Sequence, residues 1–187
     1  MTRLEPGFAS PLAAQACFRA LLTAFGTPGR IVALPHAVEP PAGLSPAAAA
    51  VLLTLADPAT GIALPAEVPA RDWLVFHTGA ALASPTDAAF CVAIARPDLA
   101  SLRQGSEEVP EDGATLILDV PALDAGRRCR LAGPGLAAPL TVKLPVDGAF
   151  VSEWRAQRRR APCGVDVLLC AGHRVLALPR SLTIEEV

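Results

Sequence analysis

The segment TLILDV, residues Thr115–Val120, has the clearest strand pattern in this 187-residue chain. Its continuous run of aliphatic side chains suits a strand that is covered on both faces. Such strands occupy the centre of parallel sheets, because the crossover connections place other elements on each face. We therefore predict that Thr115–Val120 lies at the centre of a sheet in an α/β fold.

Three segments outside this strand have the sequence signals of helix starts. Ser10-Pro11 and Ser45-Pro46 each combine an N-cap serine with proline at the first helical position, and Asp147 can cap a third helix. The helix after Ser45 is apolar almost all round, which predicts burial on most sides. The helix after Ser10 has apolar residues at helical spacing, with Arg19 at their margin: Ala14, Phe18, Leu21, Leu22 and Phe25.

Strand-like runs alternate unevenly with these helices. They cover residues 31–34, 61–64, 74–78, 90–95, 129–132, 140–144, 165–170 and 174–178, the last two forming a hairpin. Hairpin pairs interrupt strict βαβ alternation, so we predict a three-layer α/β/α fold with a mixed sheet. We find no linker that divides the chain, and we expect one domain over residues 1–187 with an irregular N-terminal arm at 1–9.

The composition excludes several classes of protein. Apolar residues make up 52% of the chain and charged residues 18%, which argues against intrinsic disorder. A net charge of −2 without a basic tract argues against a nucleic-acid binder. We find neither a membrane-spanning segment nor a secretion signal, and we expect a cytoplasmic protein. The low charge fraction also suits a subunit whose surface is covered by partners.

Residues that could carry chemistry are few. The five cysteines lack metal-ligand spacing, so we expect reduced, mostly buried thiols and no metal. The glycine loop Gly133–Gly135 lacks the features of a phosphate-binding loop. The single lysine, Lys143, lies in an alternating run where an outward charged side chain is expected, and a pyridoxal cofactor is not. This scarcity favours a subunit or binding module over a self-sufficient enzyme.

His77 is the most interesting polar residue in the chain. It ends the apolar run 74–78 beside Thr78, and α/β sheets present functional side chains at such strand ends. The alternative interpretation is a structural histidine that a neighbouring backbone group satisfies.

Several segments, in order along the chain, resemble the PhnH family of the bacterial carbon–phosphorus lyase core complex. They are Phe18–Leu34, Val51–Asp57, Phe76–Thr78, Gly113–Leu123, Arg130–Leu136 and Pro162–Arg180. The resemblance implies a reduced pyridoxal-phosphate-dependent transferase fold without the cofactor. It implies a homodimer that joins the subunits PhnG, PhnI and PhnJ. The assembled complex uses ATP and an alkylphosphonate to form ribose 1-alkylphosphonate 5-triphosphate.

The resemblance implies no established catalytic residue for this subunit. It leaves a candidate anion-binding pocket made from the polar residues of the matching segments: His77, Thr78, Arg180, Arg19, Asp57 and Asp166. His77 and Arg180 are the first choices, because they could donate to a phosphate or phosphonate. Asp57 can instead end a helix, and Asp166 can fix a turn.

Three hypotheses follow for the function. The first is the PhnH-like subunit of the lyase complex, inactive alone. The second is a free-standing phosphate-ester transferase or hydrolase that uses His77. The third is a homodimeric regulatory module that binds an anion or nucleotide.

Overall fold

The computed structural model of the chain describes residues 6–36, 38–66 and 68–187. The α-helices are α1 (Pro11–Gly26), α2 (Pro46–Leu55), α3 (Ala70–Thr78) and α4 (Gly148–Arg158). The strands are β1 (Ile31–Ala33), β2 (Gly61–Ala63), β3 (Ala81–Leu82), β4 (Phe90–Ala93), β5 (Thr115–Asp119), β6 (Arg127–Ala132), β7 (Leu140–Leu144), β8 (Asp166–Ala171), β9 (Arg174–Leu178) and β10 (Thr183–Glu186). Short 3-10 helices cover Leu99–Ser101 and Pro110–Asp112. Residues 1–5 of the predicted N-terminal arm lie outside the described residues, and residues 6–9 are irregular.

A mixed seven-stranded sheet forms the middle of the fold, in the order β1-β9-β8-β5-β4-β2-β3. Strands β8, β5, β4, β2 and β3 are parallel to one another, whereas β9 runs antiparallel to β8 and to β1. The prediction for Thr115–Val120 is confirmed, because β5 is the fourth of the seven strands. Leu116 and Leu118 pack on one face of the sheet and Ile117 on the other, and all three are buried.

Each face of this sheet carries its own hydrophobic core. Helices α1, α2 and α3 cover one face, where Trp73 and Leu74 join the side chains of α1 and α2. The other face packs against Phe150 and Trp154 of α4 and against a three-stranded antiparallel sheet, β10-β6-β7. The prediction of an α/β fold with a mixed sheet is therefore confirmed. The second outer layer, however, is part helix and part sheet, and the likeness to a pyridoxal transferase fold stays a prediction.

The predicted helix starts are confirmed, and each has the expected capping bond. Ser10 Oγ accepts a hydrogen bond from Ala13 N at 3.2 Å, and Ser45 Oγ accepts one from Ala48 N at 3.1 Å. Asp147 Oδ1 accepts from Phe150 N at 2.8 Å. These bonds satisfy amide groups that would otherwise lack partners in the first turn of each helix.

The helix α2 is buried on most sides, as its composition predicts. All six residues from Ala47 to Leu52 are buried. Their small side chains let α1 approach closely, and the Cys17 thiol of α1 donates to the Ala50 carbonyl at 3.8 Å. Within the described residues, no helix combines the length and the apolar character needed to cross a membrane.

The predicted strand at residues 74–78 is wrong, because these residues form the second half of α3. A short apolar run does not by itself distinguish a strand from a buried helix. Here the helix begins four residues earlier, at Ala70, and ends where Gly79 adopts the left-handed conformation with φ +69°. Trp73 and Leu74 face the core, and Phe76 is 68% exposed.

The buried face of α1 also differs from the prediction. It consists of small residues and one leucine: Ala13, Cys17, Leu21 and Ala24. Phe18 and Leu22 belong to the apolar face that the helical spacing predicts, but they are 43% and 57% exposed. The small side chains of α1 face the alanine-rich helix α2. They allow the two helices to approach closely, which buries more of their backbone. An apolar strip of α1 is therefore left on the surface.

Candidate functional site

Asp166 and Arg180 form an ion pair where β8 begins and β9 has ended. Arg180 Nη2 and Nε donate to Asp166 Oδ2 at 2.6 and 3.1 Å, and Arg180 N donates to Asp166 Oδ1 at 2.6 Å. The guanidinium also donates to the carbonyls of Pro110 at 2.6 Å and Gly113 at 3.3 Å. Arg180 thus joins β8, the segment after β9 and the loop before β5.

The chain passes so close to this arginine that only glycine fits at position 113. A Cβ atom on Gly113 would lie 2.2 Å from both Arg180 Nη1 and the Gly164 carbonyl oxygen. Contacts this short with backbone cannot be relieved by a side-chain rotation. The geometry indicates a structural clamp, and anion binding by Arg180 would compete with its present partners.

His77 and Thr78 lie at the carboxyl end of α3, not at the end of a strand. The exposed His77 ring contacts the rings of Trp73 and Phe76 at centroid distances of 5.0 and 5.1 Å. Gly7 passes close to it, since a Cβ on Gly7 would lie 3.1 Å from His77 Nδ1. Thr78 Oγ1 donates to the Leu74 carbonyl at 2.7 Å and accepts from Ala80 N at 3.1 Å. These bonds of Thr78 complete the end of the helix.

Asp57 and Arg19 have separate surroundings. Asp57 follows α2, and its Oδ1 accepts from Ala59 N at 2.9 Å in an exposed turn. Pro58 in this turn lies against the end of α3, because a Cβ on Gly79 would lie 3.0 Å from Pro58 Cγ. Arg19 is exposed on α1. Of the six candidate residues, Asp166 and Arg180 are in direct contact, and an anion pocket built from all six stays a prediction.

Five of the six predicted residues, all except Arg19, lie near the amino ends of the parallel strands. Asp166 opens β8, and the Asp57 turn leads into β2 beside the end of α3. Ligands of open α/β sheets usually bind at the opposite edge, outside the carboxyl ends of the strands. Residues 74–78 are helical, so His77 does not lie at the end of a strand.

Asp119, which was not among the predicted site residues, lies at the carboxyl edge of the sheet, where β5 ends. Its carboxylate accepts a hydrogen bond from Ser45 N at 2.9 Å and another from Ser45 Oγ, which holds the start of α2 against the sheet. The cleft beside it has a volume of about 400 Å³. An acidic residue at the end of a buried apolar run was the signal that could have identified it.

The first amides of α2 are already bonded at this cleft. Ala47 N donates to the carbonyl of Gly172 at 2.8 Å, and Ala48 N donates to Ser45 Oγ at 3.1 Å. Gly172 is the turn residue of the β8–β9 hairpin, where its φ of +56° suits glycine. A free helix N-terminus would attract an anion, but here protein groups satisfy these donors.

The five cysteines are free thiols, as predicted. Burial raises the pKa of the Cys91 thiol to about 11 and raises the pKa of Cys170 well above its usual value. Among the described residues, no group of three or more His, Cys, Asp or Glu side chains is placed to hold a metal ion. Lys143 is exposed on β7, as the alternating pattern predicts.

Thiol labelling should detect one fast-reacting cysteine. Cys163 is half-buried, whereas Cys17, Cys91, Cys129 and Cys170 are buried. With excess maleimide at pH 7, we expect one label per native chain by mass spectrometry and five in urea, because a thiol must be accessible to react. The variant Cys163→Ser should remove the fast label. Several rapidly labelled sites in the native protein would contradict the burial of the other thiols.

Comparison with known proteins adds an independent finding. A family model described as "Bacterial phosphonate metabolism protein (PhnH)" matches residues 6–185. The chain is 37% identical over 187 residues to the "Alpha-D-ribose 1-methylphosphonate 5-triphosphate synthase subunit PhnH" of Rhizobium meliloti (strain 1021), covering 95% of this chain and 94% of that protein. It is also 37% identical over 175 residues to the "Putative C-P lyase subunit protein HtxG" of Stutzerimonas stutzeri, covering 91% of this chain and 85% of that protein.

Proposed function

Since the chain belongs to the PhnH family of bacterial phosphonate metabolism proteins, we propose that it is a subunit of a carbon–phosphorus lyase core complex. In that complex it supports the formation of ribose 1-alkylphosphonate 5-triphosphate from ATP and an alkylphosphonate. One observation carries this proposal. The chain matches, over nearly the full length of both chains, a protein named as the PhnH subunit of alpha-D-ribose 1-methylphosphonate 5-triphosphate synthase.

The side-chain contacts support a role that depends on partners. Arg180 and Asp166 hold three segments of the fold together, and Thr78 and Asp57 complete local turns. Acyl or phosphoryl transfer needs a nucleophile or base held beside groups that stabilise developing charge. Four of the six candidate residues stabilise the fold instead, which favours a subunit that is inactive alone.

Exposed apolar side chains support the same role. Phe18, Leu22, Phe76 and Ile94 have 43, 57, 68 and 63% of their surface exposed. Contiguous patches of large apolar side chains on a protein surface mark subunit interfaces. We propose that this chain forms a homodimer and binds the subunits PhnG, PhnI and PhnJ in the cytoplasm.

Co-purification and turnover test this function directly. A tagged copy of the chain, expressed with PhnG, PhnI and PhnJ of the same bacterium, should retain all three through affinity and size-exclusion steps. The isolated chain should release no adenine from ATP in the presence of methylphosphonate, whereas the assembled complex should. Absence of the other subunits from the purified fraction would overturn the proposal. Turnover by the isolated chain that His77→Ala abolishes would favour the free-standing transferase instead.

A further inference from the structure

The large sheet has a topological switch point between β2 and β4. From β2 the chain passes through α3, on the face of α1 and α2, to reach β3 at the sheet edge. From β4 it passes through the 3-10 helix Leu99–Ser101, on the face of α4, to reach β5 at the sheet centre. The two connections therefore leave neighbouring strands in opposite directions and on opposite faces. Connections that diverge in this way leave a crevice at the carboxyl ends of the strands, where α/β proteins bind ligands.

A crevice is present at this position. Its volume is about 300 Å³. It is lined by the ends of β2 and β4, by residues after β3 and by the 3-10 helix: among them Ala63, Pro65, Pro85, Cys91, Ala93 and Ser101. A buried cavity of about 150 Å³ is large enough to hold benzene. The crevice therefore has room for a molecule with two fused rings.

Most of the described residues that line the crevice are apolar, and the side chains of Cys91 and Ser101 already have hydrogen-bond partners. Cys91 Sγ donates to the Pro85 carbonyl at 3.7 Å, and Ser101 Oγ donates to the Asp98 carbonyl at 2.7 Å. Arg96 directly precedes the lining residue Pro97 in the chain, and it donates to the carboxylate of Glu153 at 2.7 and 3.1 Å. An anion in the crevice would lose its hydration without gaining a charged partner among the described lining residues, which is unfavourable.

We propose that this crevice binds a small uncharged molecule with one or two rings, and that it does not bind phosphate or phosphonate. The apolar rings of Pro65 and Pro85 are part of the lining and can pack against a ring of the ligand. The ligand is held by burial of its apolar surface, because removing apolar surface from water is favourable. This site is independent of the proposed subunit function and is present in the isolated chain.

Titration of the isolated full-length chain with Prodan, a neutral naphthalene dye, tests the proposal. The fluorescence of Prodan shifts to the blue in apolar surroundings, and we expect saturable binding of one dye per chain. Indole should displace the dye, because it is an uncharged two-ring molecule. Methylphosphonate should not displace it. Binding that does not saturate, or displacement by methylphosphonate, would overturn the proposal.

Two variants fill the crevice at different places, so that the test survives if one of them fails to fold. Ala93→Phe adds a ring from the end of β4, and Ser101→Phe adds one from the exposed 3-10 helix. Either variant, once circular dichroism shows a folded chain, should weaken Prodan binding at least tenfold. Leu12→Ser removes an exposed apolar side chain of α1 and should leave binding unchanged. Wild-type affinity in both filled variants, or loss of binding in Leu12→Ser, would show that the dye binds elsewhere.

Discussion

Replacing Arg180 with alanine should lower the free energy of unfolding by about 3 kcal/mol, because a charged partner is removed from a largely buried pair. The side chains of Arg180 and Asp166 are 18% and 19% exposed. The variant leaves the Asp166 carboxylate without its cation, and it leaves the carbonyls of Pro110 and Gly113 without the guanidinium donor. Urea denaturation of the purified chain, followed by circular dichroism, measures the loss.

Arg103 offers a matched control in the same region. It pairs with Asp112 at 2.7 Å, but these side chains are 34% and 51% exposed. Water screens such a pair, so Arg103→Ala should cost less than about 1 kcal/mol. Arg180→Lys keeps the charge but loses the planar fork, and we expect an intermediate loss. Equal effects of Arg103→Ala and Arg180→Ala would contradict the clamp that the structure shows.

Trp154→Ala should be the most destabilising single truncation in α4, with a loss of about 4 kcal/mol in the free energy of unfolding. Trp154 is fully buried between the large sheet and the small sheet, and its ring packs against Phe150 at a centroid distance of 5.4 Å. Its Nε1 donates to the Leu182 carbonyl at 2.9 Å, which ties α4 to the segment before β10. Chemical denaturation measures the loss.

Trp154→Phe separates the packing of this residue from its hydrogen bond. Phenylalanine keeps most of the buried apolar surface but leaves the Leu182 carbonyl without its indole donor. A buried acceptor without a partner costs about 1–3 kcal/mol. We therefore expect Trp154→Phe to retain part of the stability that Trp154→Ala loses. Equal losses in the two variants would mean that packing at this site contributes little.

Arg180 and Trp154 stabilise the fold, and we expect them to affect function through that stability. Arg180 closes the amino edge of the sheet, whereas the crevice beside Ala93 and the cleft beside Asp119 lie at the carboxyl edge. Because the Arg180 side chain bonds to groups of its own chain, Arg180→Ala should disturb subunit assembly mainly by unfolding the chain. Co-purification of Arg180→Ala at a temperature where it remains folded distinguishes loss of stability from loss of a contact.

Local signals were enough to predict many elements of the fold. Ser10, Ser45 and Asp147 were correctly placed as helix caps, because a cap bonds to amides only two or three residues away. The central position of β5 was also correct, since an uninterrupted aliphatic run is stable only when both of its faces are covered. The family match supports the resemblance that the ordered segments suggested.

Tertiary structure decided the features that depend on distant neighbours. Residues 74–78 are compatible with a strand or a helix, and packing of Trp73 and Leu74 on the sheet determined the helix. Which face of α1 is buried depended on its alanine-rich neighbour α2, so Phe18 remained at the surface.

The candidate site also combines features set by local sequence with features set by distant neighbours. The sequence by itself determined the α/β class, the helix caps, the scarcity of catalytic groups and the family. Only the tertiary structure paired Asp166 with Arg180 and separated this pair from the apolar crevice at the opposite edge of the sheet. The physical reason is that caps and strand patterns are local in the chain, whereas the partners of a charge and the walls of a cavity come from segments far apart in sequence.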